Sequence, residues 1–277
     1  MRMRLAVMMA LWAMAMIPTG ANAHLDAASV MLAGSAEATD QQSSPVLVIL
    51  AHPDDELPMA PALAALVRTG ADVRLLYTTR GDAGPGVSDY APGEALAAAR
   101  SAEATCAASA LGLPAPRMLD FPDGGHGDEA RGTPDGNGLA AALSREIQGI
   151  RPGTIITWGP DGGYGHVDHR MVHAFTTQLV QAMPAAERPQ LLYFGIRADR
   201  VAPVAELERW AKTDPELLSV RIEYEDADLA AANAATQCHV TQFDAATRAA
   251  LAPVFHQAIW QGTVDFRPAF AMQATAP

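Results

Sequence analysis

From Val46 onward the chain alternates short, uniformly apolar blocks with longer stretches in which apolar residues recur every three or four positions. The block Val46-Leu47-Val48-Ile49-Leu50 is too short for a helix and is bounded upstream by Ser43-Ser44-Pro45, so it predicts a strand buried on both faces. Residues 62–69 predict a helix that Gly70 stops, and residues 72–79 (DVRLLYTT) a second strand, closing a βαβ unit of right-handed crossover. The alternation continues with an alanine-rich helix over 94–111, a strand over 117–121, a helix over 139–150, a strand over 154–158 and a helical pattern through Val180. That order predicts an α/β domain with a mostly parallel central sheet and helices on both faces. Further on, the pattern predicts strands over 190–196 and 219–224, helices over 228–238 and 245–260, and an edge strand with a tail within 264–277.

Two stretches interrupt the alternation. Residues 80–93 (RGDAGPGVSDYAPG) and 122–138 (PDGGHGDEARGTPDGNG) are rich in glycine and proline, and they predict loops at the carboxyl ends of the second and third strands, where open α/β sheets gather their substrate contacts. The head of the chain is of another kind. Met1-Arg2-Met3-Arg4, an apolar run from Leu5 to Ile17 and then Ala21-Asn22-Ala23 predict a secretory signal peptide over residues 1–23, cleaved near Ala23. Pro18 and Gly20 end the run short of the roughly 20 apolar residues a membrane anchor needs, so the expectation is an exported protein, periplasmic or secreted, with no anchor after cleavage. Residues 24–44 have no period and read as a flexible leader; residues 45–277 show neither a repeat nor a second composition regime and read as one domain.

Charge narrows the choice of partner. The chain carries a net −12, and loss of residues 1–23 removes Arg2 and Arg4 but no acid, leaving 17 of the 19 basic residues against 31 acidic ones, a net of −14. A surface that acidic repels nucleic acid and anionic lipid. Cys106 and Cys238 are the only cysteines; they are able to pair in an exported protein, two buried thiols being the plainer expectation, and their number and spacing do not suit a cysteine metal site.

The chemistry begins where the first strand ends. His52-Pro53-Asp54-Asp55-Glu56 puts one imidazole and three carboxylates into five residues. Pro53 suits the first position of a helix, which makes His52 the expected N-cap and lets His52 and Asp55, three apart, converge on one point with Asp54 beside them. Two ligands and an adjacent base are what a hydrolytic metal site needs, although a charged helix start is also common in soluble proteins. A second cluster follows the fourth strand, Gly163-Tyr164-Gly165-His166-Val167-Asp168-His169, with His173 one turn further on. Two strand ends thus offer His and Asp ligands, and spacing alone leaves open which of the three histidines completes the set. Arg100 and Glu103 on the second helix have the spacing of an ordinary surface ion pair.

Ala51-His52-Pro53-Asp54-Asp55-Glu56 together with Gly163-Tyr164-Gly165-His166-Val167-Asp168-His169 resembles the PIG-L/LmbE family of zinc-dependent N-deacetylases, which remove acetyl groups from N-acetylglucosamine conjugates and related amides. The resemblance runs from about residue 46 to 243 and takes in Thr79-Arg80-Gly81-Asp82, Arg100 and Glu103, Phe121-Pro122-Asp123-Gly124 and Cys238-His239-Val240-Thr241-Gln242. It implies a Rossmann-like three-layer domain in which His52, Asp55 and His169 hold Zn2+, other divalent transition metals such as Fe2+ also suiting that set. It implies Asp54 as general base, His166 beside the substrate carbonyl, and Tyr164, Arg100 and Asp123 in the pocket for an N-acyl amino sugar. His173 then keeps packing or a bond behind the ligands, and His126, His239 and His256 keep packing roles, His239 being the one of the three expected nearest the site. Two departures stand out: Leu57-Pro58-Met59-Ala60-Pro61 replaces the glycine pair usual in the family, and Asp82 stands where Glu is more frequent. The expected activity is zinc-dependent hydrolysis of an N-acetylglucosamine-type amide. The same donors would serve an amidase for a larger acyl group or a metal-dependent sugar-binding protein without turnover, and Asp54, a carboxylate that is not a ligand, speaks against the last.

Overall fold

The computed structural model of the chain describes residues 44–129, 138–200 and 205–270. The expected signal peptide, most of the leader and the end of the tail lie outside the described residues. Among the described residues seven strands form one sheet, in the order β3-β2-β1-β4-β5-β7-β6. They are β1 (Val46–Leu50), β2 (Val73–Thr79), β3 (Arg117–Phe121), β4 (Thr154–Thr157), β5 (Gln190–Gly195), β6 (Val220–Glu223) and β7 (Thr263–Pro268). The first five pair in parallel, and β7 runs antiparallel to both β5 and β6.

Burial of β1 is complete enough to explain its uniform apolar character, because its side chains feed two cores on opposite faces of the sheet. Val46, Val48 and Leu50 join a core built with α1 (Ala60–Arg68), α2 (Glu94–Ala110), α7 (Asp226–Cys238) and α8 (Ala245–Phe255). Leu47 and Ile49 join a second core beneath α4 (Leu139–Ile150) and α6 (Val167–Gln181). The result is the expected three-layer α/β arrangement. Its strand order reverses between β1 and β4, the switch point at which such sheets form a crevice at their carboxyl ends. Two short helices, α3 (His126–Glu129) and α5 (Gly162–Gly165), line that end of the sheet. None of the described helices is long and apolar enough to cross a membrane.

Four expectations are corrected here. The helix after β1 does not begin at Pro53: residues 51–56 form turns, Leu57–Met59 a 3-10 turn, and α1 starts at Ala60 with Pro61 in its first turn. A helix begun at Pro53 would carry Pro58 and Pro61 inside it, each without the N–H its i−4 bond requires. His52 is therefore not an N-cap. The strand of the C-terminal stretch is not an edge strand, since β7 lies between β5 and β6 and leaves β6 at the edge. The 122–138 loop contains α3, while residues 130–137 lie outside the described ones. Finally, Cys106 and Cys238 are not buried thiols: they form a disulfide, with Cα atoms 5.7 Å apart, that fastens the C-terminal end of α7 to α2, and Cys106 is exposed.

Candidate active site

Three side chains from the two strand ends meet at one point. Nδ1 of His52 lies 3.3 Å from Nε2 of His169, and Nε2 of His169 lies 3.0 Å from Oδ1 of Asp55. The far sides of both rings decide what these nitrogens offer. Nδ1 of His169 faces the Gly162 carbonyl at 3.0 Å and donates to it, which leaves Nε2 as a bare lone pair. Nε2 of His52 faces the carboxylates of Asp123 at 3.0 Å and Asp168 at 3.1 Å, which leaves its Nδ1 in the same condition. When both rings are neutral, two lone pairs and a carboxylate oxygen point at one another, and either a proton on His52 or a cation must lie among them. Without that proton the arrangement calls for a cation, and the imidazole and carboxylate donors suit zinc or a similar divalent ion. Burial lowers the proton affinity of His52, but Asp123, Asp168 and Asp55 outweigh it and hold the ring well above its ordinary pKa. Burial likewise opposes ionisation of Asp55, and His169 and His52 overcome it, so that carboxyl sits well below the usual range.

Local structure holds the ligands independently of any ion. Oδ2 of Asp55 accepts from the backbone N–H of Ala51 and of His52, each at 2.9 Å, and from the indole N–H of Trp158 at 3.2 Å. The Trp158 ring stacks on His169, centroids 4.4 Å apart and 5° from parallel. The tight turn before His169 depends on glycine: Gly163 has φ 73°, and a Cβ there would come within 2.8 Å of the Trp158 ring.

Asp54 occupies the position between the two ligands of the turn, half-buried, with φ 103°. A non-glycine residue in that region carries strain of ~1–3 kcal/mol, so the surroundings must impose it. Its side chain lies 3.4 Å from the Arg100 guanidinium, and its backbone N–H donates to Oε2 of Glu56 at 3.0 Å. Burial pushes the Asp54 carboxyl up to about 6, against the pull of Arg100. His166 sits across the site, its ring centroid 4.7 Å from that of His52. Its Nδ1 accepts the N–H of Asp168 as the N-cap of α6, so the neutral ring carries its proton on Nε2. Burial and the neighbouring His52 and His169 lower its pKa, which favours that neutral donor. One ligand atom each from His52, His166 and His169 fit within 4.8 Å, so His166 borders the same point.

The remaining expected residues are divided by the fold. Tyr164 packs its ring 5.3 Å from His169 and 6.0 Å from His166, and burial pushes its hydroxyl pKa up, keeping it a protonated donor. Arg100 does not pair with Glu103. It is buried, donates to the carbonyls of Pro53 at 2.6 Å and Gly81 at 3.2 Å, and braces the acidic turn from behind; at Gly81 any side chain would collide with its guanidinium. Asp123 spends one oxygen on His52 and takes the N–H of Ala83 on the other, so it orients a ligand and joins two loops. His173 bonds the Trp158 carbonyl at 3.1 Å and packs on Tyr193, away from the converging donors.

Four functional neighbours escape the sequence pattern. Asp168 is fully buried and accepts from Gly124 N at 2.7 Å and His126 N at 3.2 Å while holding His52, so one carboxylate ties the 122–126 loop to the metal donors. His126 in turn meets Thr78 Oγ1 at 2.6 Å. Glu56 and His239 form a fully buried pair at 2.6 Å. The signal for Asp168 was its place between two site histidines; for His239 it was the Cys238-His239-Val240-Thr241-Gln242 motif.

A family model described as GlcNAc-PI de-N-acetylase, PIG-L, matches residues 47–180, the stretch from the first strand through α6 that supplies all the donors above. That match marks residues 47–180 as a PIG-L domain. Its similarity extends to the 1D-myo-inositol 2-acetamido-2-deoxy-alpha-D-glucopyranoside deacetylase of Rhodococcus jostii (strain RHA1), 35% identical over 162 residues, which are 52% of this chain and 56% of that protein. The protein of the same description from Mycobacterium sp. (strain KMS) is 38% identical over 156 residues, 49% of this chain and 50% of that one. The chain thus spans about half the length of the curated relatives it matches. Its fold is that of the N,N'-diacetylchitobiose deacetylase from Pyrococcus horikoshii, with TM-score 0.60 at 16% identity over 82% of this chain and 84% of that one. It is equally that of the conserved protein TT1542 from Thermus thermophilus, with TM-score 0.57 at 20% identity over 83% and 96%.

Proposed function

We propose that this PIG-L protein is an exported, zinc-dependent N-deacetylase that hydrolyses the acetamide of an N-acetylglucosamine-type sugar or conjugate. The observation that carries the proposal is the convergence of His52 Nδ1, Asp55 Oδ1 and His169 Nε2 on one point, with a further carboxylate, Asp54, at their side. The substrate class follows from the relatives, whose descriptions name an acetamido-glucopyranoside of inositol and N,N'-diacetylchitobiose. Export follows from the basic, apolar and small-residue head, and the Cys106–Cys238 disulfide supports it, since such bonds persist in oxidising compartments.

His52, Asp55 and His169 would hold a divalent metal, and the chemistry it would supply there is Lewis acidity toward the acyl oxygen and a lowered pKa for water. Asp54 takes the proton of the attacking water on its carboxylate; with a pKa raised by burial it is a better base than an exposed aspartate. The N–H on Nε2 of His166 donates to the oxyanion, a contribution of roughly 3–4 kcal/mol for a well-placed donor, with the Tyr164 hydroxyl as a second candidate. Asp54 then returns the proton to the departing amine. Asp123 and Asp168 keep His52 in the tautomer its role requires, and Trp158 fixes the plane of His169.

The test is amine release by zinc-loaded protein from N-acetylglucosamine, N,N'-diacetylchitobiose and the acetamido-glucopyranoside of inositol. Turnover that a chelator abolishes and added zinc restores is the expected result. No turnover on any of them, with sugar binding retained, would favour the metal-dependent binding protein.

A further inference from the structure

Adjoining the acidic turn is a buried polar group that the steps above leave unused. Glu56 is wholly inaccessible; its Oε2 accepts from the backbone N–H of Asp54 at 3.0 Å and from the hydroxyl of Tyr77 at 2.7 Å, and its Oε1 meets Nε2 of His239 at 2.6 Å. His239 is equally inaccessible, and its Nδ1 has no partner among the described residues, so the ring has a single polar contact, Glu56. The position of His239 is itself fixed. It follows Cys238, which is bonded to Cys106 on α2, and two residues later Thr241 gives both its N–H and its hydroxyl to Glu103 of the same helix, each at 2.7 Å. Arg100, Glu103 and Cys106 lie at three-residue intervals on α2, so one helix face reaches from the Asp54 carboxylate to the residue before His239.

A buried carboxylate and imidazole are a weak source of stability, because well-packed apolar residues often replace such pairs at no cost. What the pair does here is local. Asp54 has φ 103°, and without an acceptor for its N–H the turn is free to relax and swing the carboxylate away. Asp55 does not depend on that acceptor, being held by Ala51, His52 and Trp158. We propose that Glu56 and His239 are a positioning pair that holds the backbone of Asp54 in its strained conformation and so aims the base, without contact with substrate or metal. The role rests on the deacetylase proposal for its consequence, and on the geometry alone for its existence.

The experiment compares His239→Leu, which removes the donor, with His239→Gln, whose amide nitrogen reaches the same place, and with Tyr77→Phe, which removes the other side-chain donor at constant shape. On zinc-loaded protein with N-acetylglucosamine as probe, His239→Leu should keep its zinc and its KM and lose about 10–100-fold in kcat, the usual cost of an ångström-scale misplacement. His239→Gln should recover most of that loss. A second readout needs no turnover: on cobalt-loaded protein the visible spectrum reports acetohydroxamate binding. That binding should weaken about ten-fold in Asp54→Asn and in His239→Leu, the loss of one charge-assisted hydrogen bond, and recover in His239→Gln. If wild-type protein deacetylates nothing, the deacetylase proposal fails and the hydroxamate series still judges the pair. Wild-type kcat and hydroxamate affinity in His239→Leu would overturn the inference. So would a lowered Tm in both His239 variants with kcat per folded molecule unchanged. Should His239→Leu not fold, unaltered kcat and hydroxamate affinity in Tyr77→Phe would overturn it as well.

Discussion

Asp54 and its neighbours show how much one residue's role depends on where its backbone is held. Asp54 and Asp55 are adjacent in sequence and alike in chemistry, yet Asp55 turns inward to two backbone N–H groups and an indole while Asp54 projects beside the converging donors at φ 103°. Asp54→Asn should therefore retain fold and zinc content and lose about 10²–10⁴-fold in kcat, the range typical of general-base catalysis. Metal analysis beside amine-release kinetics checks it, and equal turnover would remove Asp54 from the mechanism. A second pair of variants tests the ligand face of α6. His169→Ala should lose tightly bound zinc and His173→Ala should keep it, because His173 spends its Nδ1 on the Trp158 carbonyl. Full occupancy in the first with loss in the second would reverse the assignment. At this scale the residue types of the site were legible: His52, Asp54, Asp55, His166 and His169 stand in two dense motifs. Asp168 and Glu56 were not legible as partners, since nothing in a string of acids says which carboxylate turns into the interior, and that choice is made by backbone N–H groups of the 122–126 loop and by His239.

Among the elements, α2 does more than cover the sheet. An alanine-rich sequence makes it a good helix former, and alanine lets it lie close to α7, while its few larger residues each reach something remote: Arg100 the acidic turn, Glu103 Thr241, Cys106 Cys238. The i,i+3 spacing of Arg100 and Glu103 suggested a surface ion pair because one helix seen alone has only its own neighbours to offer. Arg100→Ala should accordingly lower kcat/KM well beyond Arg117→Ala, whose exposed guanidinium pairs with Glu146; matching losses would return Arg100 to a surface role. The disulfide spans 132 residues. Closing so long a loop restricts the unfolded chain, so replacing both cysteines by alanine should cost about 2–4 kcal/mol, measured by urea denaturation. Element existence was read well from alternation and length, and β3 and α4 fall where the pattern predicts them. The start of α1 was not, although Pro58 and Pro61 carried the signal. The place of β7 inside the sheet was beyond the pattern, because strand order is set by packing between elements and a single strand's sequence does not encode it.

For the whole molecule, the fold supplies the site by its topology: the reversal of strand order between β1 and β4 opens the crevice, and the two histidine motifs follow those two strands. What the molecule needs from its surroundings is an oxidant, since Cys106 is exposed and its bond to Cys238 is therefore open to reductant. The proposal of export rests on two independent features, the basic, apolar head ending in Ala21-Asn22-Ala23 and a disulfide of the kind that lasts in oxidising compartments. The full-length chain produced in a bacterium and recovered from the periplasm should begin near His24 by N-terminal sequencing. Quenched with an alkylating reagent at lysis, it should leave both cysteines unmodified until reduced, whereas a chain lacking residues 1–23, kept in the cytosol, should be alkylated at both. Material that retains Met1 at its N-terminus, with both thiols free wherever it is found, would overturn export. A processed N-terminus with free thiols would uphold export and show instead that the link between α2 and α7 forms only after release from the cell.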